Sequence, residues 1–109
     1  MNLPAFALQT FDWSQVATTE HAGDSGTATW RTLQLGDVRV RMVEYSPGYA
    51  ANHWCAKGHI VYCIAGEMQT TVRDGATFTL SAGMTYLAGD GDPPHRSATE
   101  TGATLFIVD

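Results

Sequence analysis

The chain has 109 residues, 11 acidic and 6 basic side chains, a net charge of −5 and four histidines. That length makes one domain, which hides roughly 65% of its unfolded surface and needs no disulfide or metal staple to build a core. The acidic balance argues against a nucleic-acid partner and an anionic membrane surface, both of which demand a basic face.

Charged residues make up 16% of the chain, against about 25% in ordinary soluble domains. The longest apolar run, Ile60 to Ala65, is far too short to span a bilayer. Met1 to Thr10 has neither a basic start nor a sustained apolar stretch, so it does not read as a secretory signal. Two cysteines, Cys55 and Cys63, do not make a disulfide framework. The expectation is a cytoplasmic protein with no membrane partner.

In chain order, Asp12 to Thr19 is the one stretch that could hold a short helix. Turn-forming clusters follow at Ala22–Gly26, Gly36-Asp37, Ser46–Gly48, Asp74-Gly75, Gly89–Pro94 and Thr101-Gly102. Between them lie segments rich in Val, Thr, Tyr, Phe and Trp, which read as strands. These are Thr27–Leu35, Val38–Tyr45, Ile60–Ile64, Glu67–Arg73, Thr77–Leu80, Met84–Leu87 and Thr104–Val108. Val38-Arg39-Val40-Arg41-Met42 alternates as a strand with one buried face should. Asp74-Gly75 is the best hairpin turn. The fold class is all-β, a sandwich or barrel, in one domain over residues 1–109. Residues 1–26 form an N-terminal arm and edge region, and residues 27–109 the barrel.

His53, Cys55, His59 and His95 are the candidate site residues. On a strand, His53 and Cys55 would project from one face with backbones roughly 7 Å apart. Ala56-Lys57-Gly58 reads as a three-residue turn, with a glycine where a positive φ can be accommodated, returning His59 nearly opposite Cys55. His95 arrives on a second strand after Pro93-Pro94. Imidazole and thiolate are ligands of zinc, iron, nickel and copper rather than calcium or magnesium.

The spacing of this set resembles the cupins. Their first motif has the form G-x5-H-x-H-x3-4-E-x6-G and their second G-x5-P-x-G-x2-H-x3-N. Gly48 to His59, closing at Gly66, is similar to the first, with His53 at the first histidine, Cys55 in place of the second and His59 in place of the glutamate. Gly48 lies one residue nearer His53 than the pattern asks. Gly83 through Pro93-Pro94 to His95 resembles the second, one residue too long and with Thr99 in place of the asparagine. The tetrapeptide Asn52-His53-Trp54-Cys55 is similar to the Asp-His-Trp-Cys of the DHCW-motif cupin subgroup, with Asn52 in place of aspartate.

The resemblance runs from about Thr27 to Asp109. It implies a double-stranded β-helix (jelly-roll barrel) with an interior metal site near one open end. It also implies a homodimer, paired through a sheet face or an exchanged N-terminal arm. Three histidines and one thiolate carry the same charge as the usual three histidines and one glutamate. The donor set is softer, which moves preference from manganese toward zinc, iron, nickel or copper.

Other residues take smaller parts. His21 falls in an expected exposed loop, and Cys63 on the interior face with His59 and Val61, too far from Cys55 for a disulfide. Trp54 should point away from the ligands, into an outer contact or a dimer face. Glu44, Tyr45, Tyr62, Tyr86, Arg96 and Glu100 are candidate polar liners. Asp90-Gly91-Asp92 reads as a turn, not a calcium loop. The functional expectation is a metal-binding small cupin, in its catalytic form a metal-dependent oxygenase or isomerase of small molecules. The alternatives are a non-catalytic ligand-binding, metal-sensing or redox-sensing barrel, a purely structural metal, and a metal-free barrel.

Overall fold

Strands β2 (Thr27–Leu35) and β3 (Val38–Tyr45) form the first hairpin, turning on Gly36-Asp37 with Leu35 opposite Val38. The computed structural model describes residues 6–109. Its remaining strands are β1 (Thr18–Ala22), β4 (His59–Val72), β5 (Thr77–Ser81), β6 (Thr85–Ala88), β7 (His95–Ala98) and β8 (Ala103–Val108). All pairings are antiparallel, in the order β1-β2-β3-β8-β4-β5, and β6 and β7 also pair with β4. The all-β expectation holds.

Two expectations are corrected near the N-terminus. A single 3-10 turn at Trp13–Gln15, capped by the Asp12 carboxylate accepting from the Ser14 N–H at 2.9 Å, replaces the short helix. His21 lies on a strand, not in a loop, because Thr18–Ala22 pairs with Thr27–Arg31. Its imidazole stacks on Trp30 with ring centroids 3.8 Å apart. The polar strand Thr18-Thr19-Glu20-His21-Ala22 has no alternation to announce it, since it sits at a sheet edge and is mostly exposed.

Strand β4 joins what reads in the sequence as two strands. Its first half pairs with β6 and β8, and its second half with β5 and β7. A bulge between Cys63 and Ala65 and a left-handed Gly66 (φ 77°) turn it from one sheet into the other. A Cβ on Gly66 would sit 2.1 Å from the Gly102 carbonyl oxygen, so the bend needs a residue with no side chain. The four-residue connection from β4 to β5 carries the expected Asp74-Gly75 turn.

Between the sheets lie Ala28, Val43, Val61, Cys63, Met68, Leu105 and Ile107, all buried. Cys63 has the interior place expected of it and is a free thiol. On β3 the alternation is real, but Arg41 and Val43 are the buried set with Arg39 on the same side, while Val40 and Met42 face out. Paired rows across the sheet therefore carry Arg39 toward Asp109, and Arg41 beside Ile107, Val61 and Tyr86. On the outer face Ile60, Tyr62, Ile64 and Leu87 stay exposed, whereas Trp13 packs edge-on against Phe106.

Gly66→Ala should cost clearly more stability than Gly75→Ala in denaturant unfolding. Both replace a glycine with positive φ, but nothing lies within 4 Å of a Cβ at Gly75. The shared backbone penalty is about 1–2 kcal/mol. Equal losses would remove Gly66 as the hinge between the sheets.

Candidate metal centre

Cys55 and His95 exchange a pair of backbone hydrogen bonds. The Cys55 N–H donates to the His95 carbonyl at 2.8 Å, and the His95 N–H to the Cys55 carbonyl at 2.9 Å. Residues paired this way project from the same side, which sets thiol beside imidazole. His59, the first residue of β4, comes from the other sheet. Its Nε2 lies 2.7 Å from His95 Nε2 and 2.9 Å from the Tyr86 hydroxyl oxygen. The ligand atoms of Cys55, His59 and His95 all lie within 4.8 Å of one another.

The hairpin expected around Ala56–Gly58 is not what brings them together. Cys55 lies opposite His95, and residues 51–58 form no strand beyond that single bridge. Gly58 does not have a positive φ either. It is pressed against the neighbouring loop, where a Cβ would lie 2.6 Å from the Asp90 nitrogen, and its N–H donates to Asp90 Oδ1 at 2.7 Å. That contact ties residues 56–58 to the turn at 89–92. The Asp90 and Asp92 carboxylates both accept backbone N–H groups there, in keeping with a turn.

His53 is placed differently from the other three. It lines the same cavity, but its imidazole is exposed and its Nδ1 lies 3.0 Å from Asn52 Oδ1. Asn52 in turn donates to the Ala22 carbonyl at 3.2 Å, tying the motif to the edge strand. Trp54 makes the expected outer contact, with the guanidiniums of Arg96 and Arg73 over its ring at 4.5 and 5.4 Å. Tyr45, Tyr86 and Arg96 line the cavity, whereas Glu44, Tyr62 and Glu100 are exposed elsewhere.

The residues missed in the sequence are Arg39, Arg41 and Asp109. The Asp109 side chain is 1% exposed; its two oxygens accept from Arg39 Nε and NH2 at 2.9 Å each, and from Arg41 NH2 at 3.0 Å. Asp109 Oδ2 also faces His59 Nδ1 across 3.9 Å, too far for a hydrogen bond. Burial pushes the Asp109 carboxyl up, but the Arg39 hydrogen bond and the charges of Arg41 and Arg39 outweigh it, leaving it below the usual carboxylate range. The only sequence signal was the Arg-x-Arg alternation of β3, which does not say which parity faces in.

Burial, aided by His95, pushes His59 down to about 4, and burial also lowers His95. Both rings are neutral at pH 7, with lone pairs available to a metal. Burial likewise raises the Tyr86 phenol, keeping it a hydroxyl that can donate to His59. His59 Nδ1 is buried and has no partner. A divalent ion on Nε2 would leave an Nδ1–H toward the Asp109 carboxylate, the usual orienting role of an outer carboxylate. Two nitrogen donors and one thiol fit the borderline and soft metals. The residues present suit such an ion.

The cavity enclosed by these groups measures about 120 Å3. No protein-family model matches the sequence, and no curated protein matches it. Solved structures do. The polyketide cyclase RemF from Streptomyces resistomycificus matches 94% of this chain with 78% of its own, at 20% identity and a TM-score of 0.77. Ectoine synthase from P. lautus gives 93% and 76%, at 23% identity and a TM-score of 0.73. An RmlC-like cupin from Shewanella frigidimarina gives 94% and 89%, at 18% identity and a TM-score of 0.71. The fold is a cupin fold. In this barrel the donor cluster sits where the first residues of β4 and β7, His59 and His95, meet, with no helix among the described residues long and apolar enough to cross a membrane.

His59 titrates lower in the folded chain than its ordinary value of 6.5, so the unfolded chain binds more protons between pH 6.5 and about 4. Stability present above pH 6.5 should therefore fall as the pH drops through that window. In chelator-treated protein the melting temperature should decline from pH 6.5 to 4, and His59→Gln should flatten the decline. A wild-type profile level across that range would contradict the buried, neutral placement of His59.

Proposed function

We propose that this cupin holds one divalent transition metal (zinc, iron, nickel or copper) and acts on a small molecule as a metal-dependent enzyme of oxygenase or isomerase type. The observation that carries the reading is the convergence of Cys55, His59 and His95 from a loop and both sheets onto one cavity. His53, lining that cavity, is the fourth ligand in this reading. The Asn52-His53-Trp54-Cys55 tetrapeptide supports a place beside the DHCW-motif subgroup. The similar structures that are enzymes, the polyketide cyclase and ectoine synthase, support catalysis on this scaffold.

When bound, the metal supplies Lewis acidity or a redox centre. The chain's own groups do the rest. Asp109 fixes Arg39 and Arg41 and faces His59; Tyr86 places a hydroxyl beside the donor cluster; Tyr45, Val61, Met68 and Leu105 line the cavity with apolar surface. Elemental analysis of natively purified protein should find one metal per chain, lost in Cys55→Ser and His95→Ala. Folded wild type without stoichiometric metal overturns the reading.

The same proposal includes a homodimer formed by a second copy on the outer face of β4 and β6. Ile60, Tyr62, Ile64 and Leu87 are uncharged and each at least 42% exposed. Ile60 and Leu87 are cross-strand partners, so the patch is continuous. Absence of charge is the mark of an interface centre, and on a chain of net charge −5 it is where two copies approach without repulsion. Sedimentation should give twice the 11.8 kDa chain mass, and Tyr62→Glu the single mass. A monomeric wild type contradicts the pairing.

A further inference from the structure

We propose that the ligand of this cavity is a short-chain aliphatic carboxylate, bound through Arg41. The proposal rests on the reading of the cavity as a small-molecule site, and it adds the chemical class of that molecule.

Arg41 is the reason. The residue is 6% exposed, lines the cavity, and its Nε is buried with no partner. Only its NH2 is paired, to an Asp109 carboxylate whose two oxygens are already engaged by Arg39. Trp30 lies against the guanidinium, 4.3 Å from ring centroid to Cζ, and stabilises the charge without satisfying the Nε proton. A buried guanidinium with an idle donor costs free energy until an acceptor meets it.

The donor count points the same way. Two buried or half-buried guanidiniums share a single side-chain carboxylate, whose two oxygens cannot satisfy all of their N–H donors. The site is therefore built for an anion.

Shape and polarity narrow the anion. A volume of about 120 Å3 is well below the roughly 300–1,000 Å3 of drug-sized pockets, which suits a carboxylate with a few carbons. With Nη2 held by Asp109, the Arg41 guanidinium offers its remaining N–H groups to a single acceptor oxygen, as a carboxylate supplies. Beside Arg41 on the neighbouring strands stand Ile107 and Val61, and Leu105 lines the same cavity, so an alkyl tail finds apolar company that a phosphate would not use.

The test is calorimetric titration of the whole protein, as purified and after chelation, with butanoate, butylamine and inorganic phosphate. Butanoate should bind both forms more tightly than phosphate, and butylamine neither. Arg41→Lys keeps the charge but loses Nε, and should weaken butanoate binding about tenfold or more. Should Arg41→Lys fail to fold, melting of the chelated wild type decides: butanoate should raise the midpoint and butylamine should not. Equal binding of phosphate, or unchanged affinity in folded Arg41→Lys, overturns the carboxylate assignment. Butanoate binding that needs metal and ignores Arg41→Lys overturns it while leaving the metal reading intact. Arg41-dependent binding to protein that already lacks metal as purified supports it, and the missing metal overturns the metal reading instead.

Discussion

The buried carboxylate of Asp109 is the group on which the open end of the barrel depends. A carboxylate 1% exposed is expensive unless it is paired and hydrogen-bonded, and this one accepts from two arginines. Its main chain is fixed as well: the Arg39 N–H donates to the Asp109 main-chain oxygen and the Asp109 N–H to the Arg39 carbonyl. Backbone ladder and ion pair reinforce each other, so the guanidiniums are drawn inward where an ordinary strand would have presented them to water. The same carboxylate faces His59, which couples the charge balance of the wall to the donor cluster.

The donors themselves are assembled by strand geometry. His59 opens β4 in one sheet, and His95 opens β7, which pairs with the far end of β4 in the other. The two can meet because β4 turns between sheets at the Cys63–Ala65 bulge and Gly66. Cys55 has no strand of its own and is held by its bridge to His95. A loop residue is thus placed as firmly as a strand residue, by two backbone hydrogen bonds. Cys63, Leu105 and Val43 are fully buried in the barrel interior, which gives it a dry core.

Much of this was legible in the residues. The paired strands β2 and β3 match the expected ranges because alternation and the Gly36-Asp37 turn agree there. Cys55, His59 and His95 stood out because soft ligands are rare enough for their spacing to carry information. The hairpin supposed to unite them was not legible, since close packing of Gly58 on the 89–92 loop looks in sequence like any glycine turn. Arg39, Arg41 and Asp109 were hidden for a different reason. Polar residues alternating with apolar ones name two faces, but only long-range pairing decides which face is inside, and here an acidic partner 68 or 70 residues away reverses the usual choice.

The central claim is that a thiolate and two imidazoles of this chain bind the same ion. X-ray absorption at the edge of the copurified metal reads that directly. The account predicts one sulfur scatterer at about 2.3 Å beside nitrogen scatterers at about 2.0–2.1 Å if the ion is zinc, with the sulfur absent in Cys55→Ser. A wild-type spectrum fitted by nitrogen and oxygen alone would contradict it.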